Sequence, residues 1–389
     1  MIKTKFKIKK KSKLKKSILY LFLIILLLGI IIIISIFKYA EKFDIIQKKF
    51  LHFTNITTFT NITINKANFS LNIDNNITNE TKELNMNEEN ETKVDNHSFE
   101  KYIKEQKDFC ENPNKYNNSI YENQIKLVNI RFRDEGFKIF VYKKEDIVSN
   151  YISYNKNWEI KETNNLLSAL NYYSNKLNVS KENIYVLDIG ANVGWYTFYL
   201  GKCGYNIISF EVSDVNNYIL KKNYCLNNEL NITLVKEGLY NTEKKCDYYI
   251  SIGNIGDGWV YCDNNKTNIP HHLKKTGEFV LTRLSNYMPF LSNKNIALIK
   301  IDIEGSEGKA IEGGIELFTK YHVPFIFLEF TPSSLKSHGT DPREFLNLFE
   351  RNGYKFSYSN FFTSFISLDE IVSKTYGYSN LYITYSNIL

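Results

Sequence analysis

Cysteine is scarce in this 389-residue chain, with five residues, and glycine reaches only eighteen. Cysteine so far below roughly 8–10% excludes a small disulfide scaffold, and glycine without a three-residue period excludes a collagen-like rod. No cluster of cysteine and histidine has zinc spacing, so no metal ligands are assigned. The combination of low hydrophobicity and high charge that marks disorder is absent too, because 43% of the residues are hydrophobic and 23% charged. Acidic residues are missing from one place in particular, the N-terminus.

Residues 1–16 hold nine lysines and no acid. Removing nine from the net charge of +7 leaves −2 for the remaining chain. The positive balance therefore belongs to the tail and supplies no nucleic-acid surface, so no nucleic-acid partner is expected. Next comes ILYLFLIILLLGIIIIISIF, residues 18–37, an uninterrupted apolar run. It is long enough to cross a hydrocarbon core about 30 Å thick as a helix. A cleavable signal has an apolar region of about 7–15 residues and a small-residue cleavage site, and neither is found. The sequence predicts a basic tail (1–17) and a signal-anchor span (18–37). The positive-inside rule keeps the tail cytoplasmic, which makes a single-pass type II membrane protein with its remainder in the lumen of the endoplasmic reticulum or Golgi.

Residues 38–120 are rich in Asn, Thr, Glu and Lys and show no sustained periodicity, which predicts an extended stalk. Within residues 51–100, twelve Asn and ten Ser or Thr are present. Chance would give about 2.4 glycosylation acceptors of the form Asn-x-Ser/Thr. Seven occur: Asn55, Asn61, Asn68, Asn76, Asn79, Asn90 and Asn96. From residue 121 onward the same arithmetic expects about 4, and Asn178, Asn231 and Asn265 are found. The enrichment confined to the stalk favours a lumenal glycoprotein. An oxidising lumen also permits disulfides among Cys110, Cys203, Cys225, Cys246 and Cys262, with one left over. Cys246 and Cys262 stand eight residues either side of Asn254, so a symmetric hairpin would oppose them.

From about residue 121 the apolar runs return, and from 184 they alternate with helical patterns. IYVLDIG (184–190), NIISFEV, ITLVKEGL, FVLTRL, IALIKIDIE and PFIFLEF read as strands, and GWYTFYLGKCG, DVNNYILKKNYCLNN and SEGKAIEGGIELFTKYH read as helices. Strands alternating with helices predict a doubly wound, mostly parallel α/β sheet over residues 121–389. Ligands bind such sheets beyond the carboxyl ends of the strands, near the switch in strand order.

The first of these strands ends in Asp188-Ile189-Gly190-Ala191-Asn192-Val193-Gly194 and runs into a helix, which makes a cofactor loop. Glu211 ends the next strand, 21 residues after Gly190, where an acid can accept hydrogen bonds from a ribose. A dinucleotide fingerprint needs Gly-x-Gly-x-x-Gly to admit a pyrophosphate. Here the spacing is Gly-x-x-x-Gly with Asn192 between and Asp188 two residues before the first glycine, which suits a ligand without pyrophosphate and with a cationic amino group. In IALIKIDIEGSEG, alternation puts Lys300, Asp302 and Glu304 on one side of a central strand. Such charges must be paired or used.

VLDIGANVGWYTFYLGKCG, ISFEV, LIKIDIEGSEGKAIEGG and PFIFLEF, in this order and spacing, resemble the FkbM-type S-adenosylmethionine-dependent methyltransferases over roughly residues 184–330. The resemblance implies a Rossmann-like class I methyltransferase fold with S-adenosyl-L-methionine as cofactor. It implies that Asp188, Gly190, Asn192 and Gly194 form the cofactor loop, that Glu211 holds the ribose hydroxyls, and that Asp302 and Glu304 line the cleft beside the methyl group. The Leu-Asp-Asp turn that family members often carry before the KIDxEG strand is Leu284-Ser285-Asn286 here.

Methyl transfer to an alcohol requires positioning and a proton acceptor. Asp302 is the first candidate base, then Glu304, then Glu329 at the end of PFIFLEF. His322 and His338 read as structural or surface residues, and the tyrosines and phenylalanines as core. The expected activity is O-methylation of a hydroxyl on a glycan or glycoconjugate, with other small-molecule acceptors open. The competing readings are a methyltransferase-fold scaffold without activity and a dinucleotide-dependent oxidoreductase.

Overall fold

The computed structural model describes residues 99–389 apart from 133–134, 145, 252–253, 263–268, 270 and 374–378. The expected tail and span, and most of the expected stalk, lie outside the described residues. Among the described residues no helix is long and apolar enough to cross a membrane.

Described helices begin at Phe99, inside the segment 38–120 expected to be an extended stalk, which corrects the far end of that expectation. Helix α1 (Phe99–Glu111) buries Tyr102, Gln106 and Phe109. Gln106 works as a backbone surrogate: its amide donates to the Ile232 carbonyl (2.7 Å) and its oxygen accepts from Leu234 N–H (2.9 Å). A Cys110–Cys225 disulfide then fastens the helix, with Cα atoms 5.3 Å apart. Low apolar content hid this segment, because a glutamine and a cysteine make these attachments.

An antiparallel hairpin, β1 (Ile125–Phe132) and β2 (Glu135–Tyr142), follows. Helices α2 (Ile147–Asn155) and α3 (Ile160–Leu177) lead to β3 (Ile184–Ile189), α4 (Trp195–Lys202), β4 (Asn206–Phe210), α5 (Asp214–Leu226) and β5 (Ile232–Val235). A second sheet is built from β6 (Gly238–Leu239), β7 (Lys244–Ser251), β8 (Asn254–Cys262) and β9 (Leu273–Thr282). The chain returns through β10 (Asn295–Ile301), α6 (Glu307–Gly313), β11 (Phe325–Phe330), α7 (Pro332–Ser337), α8 (Pro342–Arg351), β12 (Tyr354–Ser357) and β13 (Ser379–Tyr385).

The main sheet has the order β12-β13-β11-β10-β3-β4-β5. Its five strands from β11 to β5 are parallel, and β13 and β12 close it antiparallel, so the sheet is mixed. Alternating side chains feed two cores. Val186, Ile207 and Leu298 pack with Leu166, Phe198 and Leu220 on one face. Leu187, Ile208 and Ile299 pack with Ile311, Phe318 and Phe349 on the other. Cover on both faces is what the continuous apolar strands require.

Two sequence expectations are corrected and a third is met in its pairing. ITLVKEGL is not one strand: it breaks at Lys236–Glu237, and Gly238–Leu239 pairs with β9 in the second sheet. The helix expected over SEGKAIEGGIELFTKYH ends at Gly313 and resumes as Glu316–Thr319. A Cβ on Gly313 would lie 2.0 Å from the Tyr240 carbonyl oxygen, so the chains touch there through backbone. The hairpin register does oppose Cys246 to Cys262, and Cys246 is disulfide-bonded, but Ser251 pairs with Asn254 rather than the turn centring on that residue.

Candidate active site

The strand order reverses between β3 and β10, and a cavity of about 770 Å³ opens where their carboxyl ends diverge. Its floor is Ile189 of β3 and Gly190 just after it, Phe210 of β4 and Glu211 just after it, Lys300 of β10 and Asp302 beyond its end, and Glu329 of β11.

Gly190 has φ +82°, and a Cβ there would fall 1.9 Å from the Asp302 carbonyl oxygen. The glycine is thus required first by its neighbour strand. Gly194 (φ +91°) is packed against Leu220 and Phe198 and does not line the cavity. Between them Asn192 (φ +51°) faces the cavity. Its backbone N–H donates to Glu211 Oε2 (2.8 Å), while its Oδ1 is buried and accepts no hydrogen bond among the described residues. Glu211 is enclosed, and Ser213 N–H donates to its second oxygen at 2.8 Å. Burial raises its pKa, against the lowering pull of those two backbone donors.

Asp188 is 1% exposed and stands behind the cavity wall. Thr197 Oγ1 donates to its Oδ2 at 2.5 Å, and Lys300 Nζ is 3.7 Å from Oδ1. The cation facing Asp188 is therefore a lysine of the protein, whereas the loop spacing had suggested a ligand amino group. Lys300 also donates to the Gly190 carbonyl (2.7 Å) and pairs with Asp302 Oδ2 (3.4 Å). Burial lowers its pKa, but Asp302, Asp188 and Glu159 outweigh burial and the net shift is upward.

The strand itself ends at Ile301. Asp302 follows it, its N–H still bonded to the Ile189 carbonyl (3.0 Å), and Glu304 sits in a turn with φ +56°. This corrects the expectation of three charges on the strand; Lys300 alone belongs to it. Glu329 stands beside Asp302, and its carboxyl is pushed up to about 9 by burial, then by Asp302, which shares a hydrogen bond with it, and by Glu304 and Glu307. At neutral pH Glu329 is a proton donor. Glu307 ties the turn by accepting from Ile303 N–H (3.1 Å) and Gly305 N–H (3.0 Å).

Residues that no motif marked complete the walls. Tyr196 Oη donates to Glu159 Oε2 at 2.6 Å, and Lys300 Nζ is 5.8 Å from the Tyr196 ring centroid. Glu159 holds φ +38°, a strained value for glutamate, at the entrance formed with Trp158. Tyr248 and Phe279 from the second sheet also face the cavity, so not every aromatic is core. His338, an exposed residue as the surface reading expected, lines it as well, while His322 stacks on Tyr385 at 4.4 Å elsewhere. Asn286, in the departed turn, donates to Glu243 (2.6 Å) and Thr282 (3.0 Å) and does not face the cavity. Among the described residues no group of His, Cys, Asp and Glu has metal-binding geometry.

No curated protein matches the chain. Among solved structures, the bifunctional kinase-methyltransferase WbdD is 12% identical, with 62% of this chain and 43% of that chain covered at a TM-score of 0.36. The match thus spans less than half of WbdD's length. A precorrin-6y C5,15-methyltransferase from Geobacter metallireducens GS-15 is 11% identical, covering 56% of this chain and 85% of its own, at a TM-score of 0.29. The plantazolicin methyltransferase BpumL, in complex with SAH, is 15% identical over 61% and 88%, also at 0.29. Residues 188–356 match the model of the methyltransferase FkbM domain, a span that runs from the aspartate before the glycine loop through β12. By that match residues 188–356 form an FkbM methyltransferase domain.

Proposed function

We propose that the protein is an S-adenosyl-L-methionine-dependent O-methyltransferase whose acceptor is a hydroxyl of a glycan or glycoconjugate. The observation that carries this reading is the pair Asn192 and Glu211 at the cavity floor. Among the described residues Asn192 Oδ1 is a buried acceptor with no partner, and its backbone N–H is bonded to a glutamate whose two oxygens are already oriented by backbone N–H groups. Such a site suits a ligand bearing vicinal hydroxyls and an amino group. Gly190, Asn192 and Glu211 would hold the cofactor, which supplies a methyl group on a cationic sulfur. Asp188 acts indirectly, by fixing Lys300 beneath the loop. Asp302, 43% of whose side chain is exposed, orients the acceptor hydroxyl together with protonated Glu329. Trp158, Tyr196 and the second sheet restrict water.

The secretory setting is part of the same proposal. The apolar run 18–37 behind nine lysines and the seven acceptor asparagines of residues 51–100 support a lumenal, glycosylated enzyme. The Cys110–Cys225 disulfide is consistent with an oxidising compartment.

Calorimetry of the full chain in detergent should detect binding of S-adenosylmethionine, weakened at least tenfold in Glu211→Gln and Asn192→Ala. Absence of any binding heat rejects the cofactor assignment. Labelled methyl should then pass to glycans released from membranes, and label appearing only in lipid or protein would reject the acceptor class. Unchanged electrophoretic mobility after endoglycosidase would reject the lumenal topology.

A further inference from the structure

We propose that His338 is the general base of the reaction, taking the acceptor's proton on Nε2. The inference rests on the methyltransferase reading above. Helix α7 ends at His338, whose backbone N–H closes the last turn on the Ser334 (3.1 Å) and Leu335 (3.2 Å) carbonyls, and Gly339 follows at φ +74°. The imidazole folds back on the same turn. Nδ1 is 2.9 Å from the Ser334 carbonyl oxygen and 3.2 Å from Ser337 Oγ, a hydroxyl that itself donates to Ser334 O at 2.8 Å. A carbonyl oxygen can only accept, and a hydroxyl whose hydrogen is engaged has only lone pairs to offer. Nδ1 therefore carries the ring hydrogen, and the neutral ring presents its lone pair at Nε2. Among the described residues Nε2 has no hydrogen-bond partner.

The ring's position is set by the turn that follows Asp302. A Cβ on Gly305 would lie 2.8 Å from His338 Nδ1 and 2.8 Å from Ser334 O, so glycine allows that turn to close on the imidazole. His338 and Ser337 line the same cavity as Asp302, Glu304 and Glu329. The other groups there are engaged. Asp302 Oδ2 faces Lys300 at 3.4 Å and shares a hydrogen bond with Glu329. Lys300 is a cation bound to Gly190 O. Glu329 holds a proton up to about 9 because it is buried and beside Asp302.

The step balances without a further reactant. The acceptor O–H proton passes to Nε2, the oxygen's freed electron pair bonds to the methyl carbon, and the carbon–sulfur bond breaks with its pair remaining on sulfur. The products are a methyl ether, the thioether form of the cofactor and an imidazolium that releases its proton to solvent.

Two measurements test this on the full chain in detergent. First, His338→Ala should bind S-adenosylmethionine as the wild type does, yet transfer labelled methyl to membrane glycans about 100-fold more slowly or worse. Added imidazole should restore part of that rate. Second, nitrogen NMR of the histidine-labelled wild type, with His338→Gln as the assignment control, should find Nδ1 protonated and Nε2 bare in the neutral ring. Wild-type transfer by His338→Ala, or a hydrogen on Nε2 of the neutral ring, overturns the proposal. A wild type that binds the cofactor but methylates nothing fails the methyltransferase reading, and the base falls with it.

Discussion

At one end of the cavity Glu211 is enclosed and each of its oxygens accepts a backbone N–H; at the other, Asp302 faces the buried ammonium of Lys300, and Glu329 stands beside Asp302 with Glu304 and Glu307 near it. The two ends hold negative charge by different means. Backbone dipoles fixed by β4 and the glycine loop serve the first, and they do not titrate. Charge balance serves the second, so its arrangement depends on protonation and on one lysine. The donors at the first end are therefore the same at every pH, although burial raises the Glu211 carboxyl they serve, whereas the second end depends on several titrating groups at once.

Removing the ammonium breaks the comparison most severely. Lys300→Met leaves Asp188, 1% exposed, without its cation and frees Asp302. Loss of one partner from a buried pair should lower stability by about 3–5 kcal/mol, measured by denaturant unfolding of the full chain. A loss below 1 kcal/mol would mean that the carboxylates are not held by Lys300.

Gly190→Ala tests the hinge between the two ends, because its new Cβ meets the Asp302 carbonyl and its φ is +82°. We expect a loss of about 1–3 kcal/mol from backbone strain. Glu211→Gln is expected to be milder, about 1 kcal/mol, since an amide keeps one acceptor for either Asn192 or Ser213 but offers the other a donor. The same variant should lower cofactor affinity and remove the Glu211 share of the decline in stability above the usual carboxylate range, because burial raises that carboxyl in the folded chain.

Glu329→Gln should change stability least in acid and most in its slope with pH. Burial and Asp302 hold the folded carboxyl near about 9 against a usual value of 4.5. Below 4.5 both folded and unfolded chains keep the proton. Between 4.5 and about 9 the unfolded chain releases it and the folded chain does not, so wild-type stability declines across that window. The glutamine variant should lose that contribution to the decline, read as melting temperature against pH.

Much of this was legible in the chain. VLDIGANVG and IALIKIDIE gave both a strand period and a chemical pattern, and β3, β10 and the loop between Gly190 and Gly194 fall where those runs lie. Asn192, Glu211, Asp302 and Glu329 do meet in one cavity, because strand ends in a parallel sheet converge on one edge. Other parts left no trace. Trp158 and Glu159 precede the first parallel strand in a segment without periodicity, and His338 follows a six-residue helix with no motif around it. Helix α1 was hidden because Gln106 and a disulfide attach it, and neither produces an apolar stripe.

The sequence by itself determined the order of strands and helices, the two-sided burial of the sheet and the residue types at its strand ends. These follow from local alternation and from hydrophobic runs, which any short window carries. The pairing of partners was decided only in three dimensions. Lys300 neutralises Asp188, Gly190 makes room for the Asp302 carbonyl, and Gly305 makes room for His338. Each of these contacts joins residues from different strands or turns, and sterics and charge act through distance in space rather than along the chain.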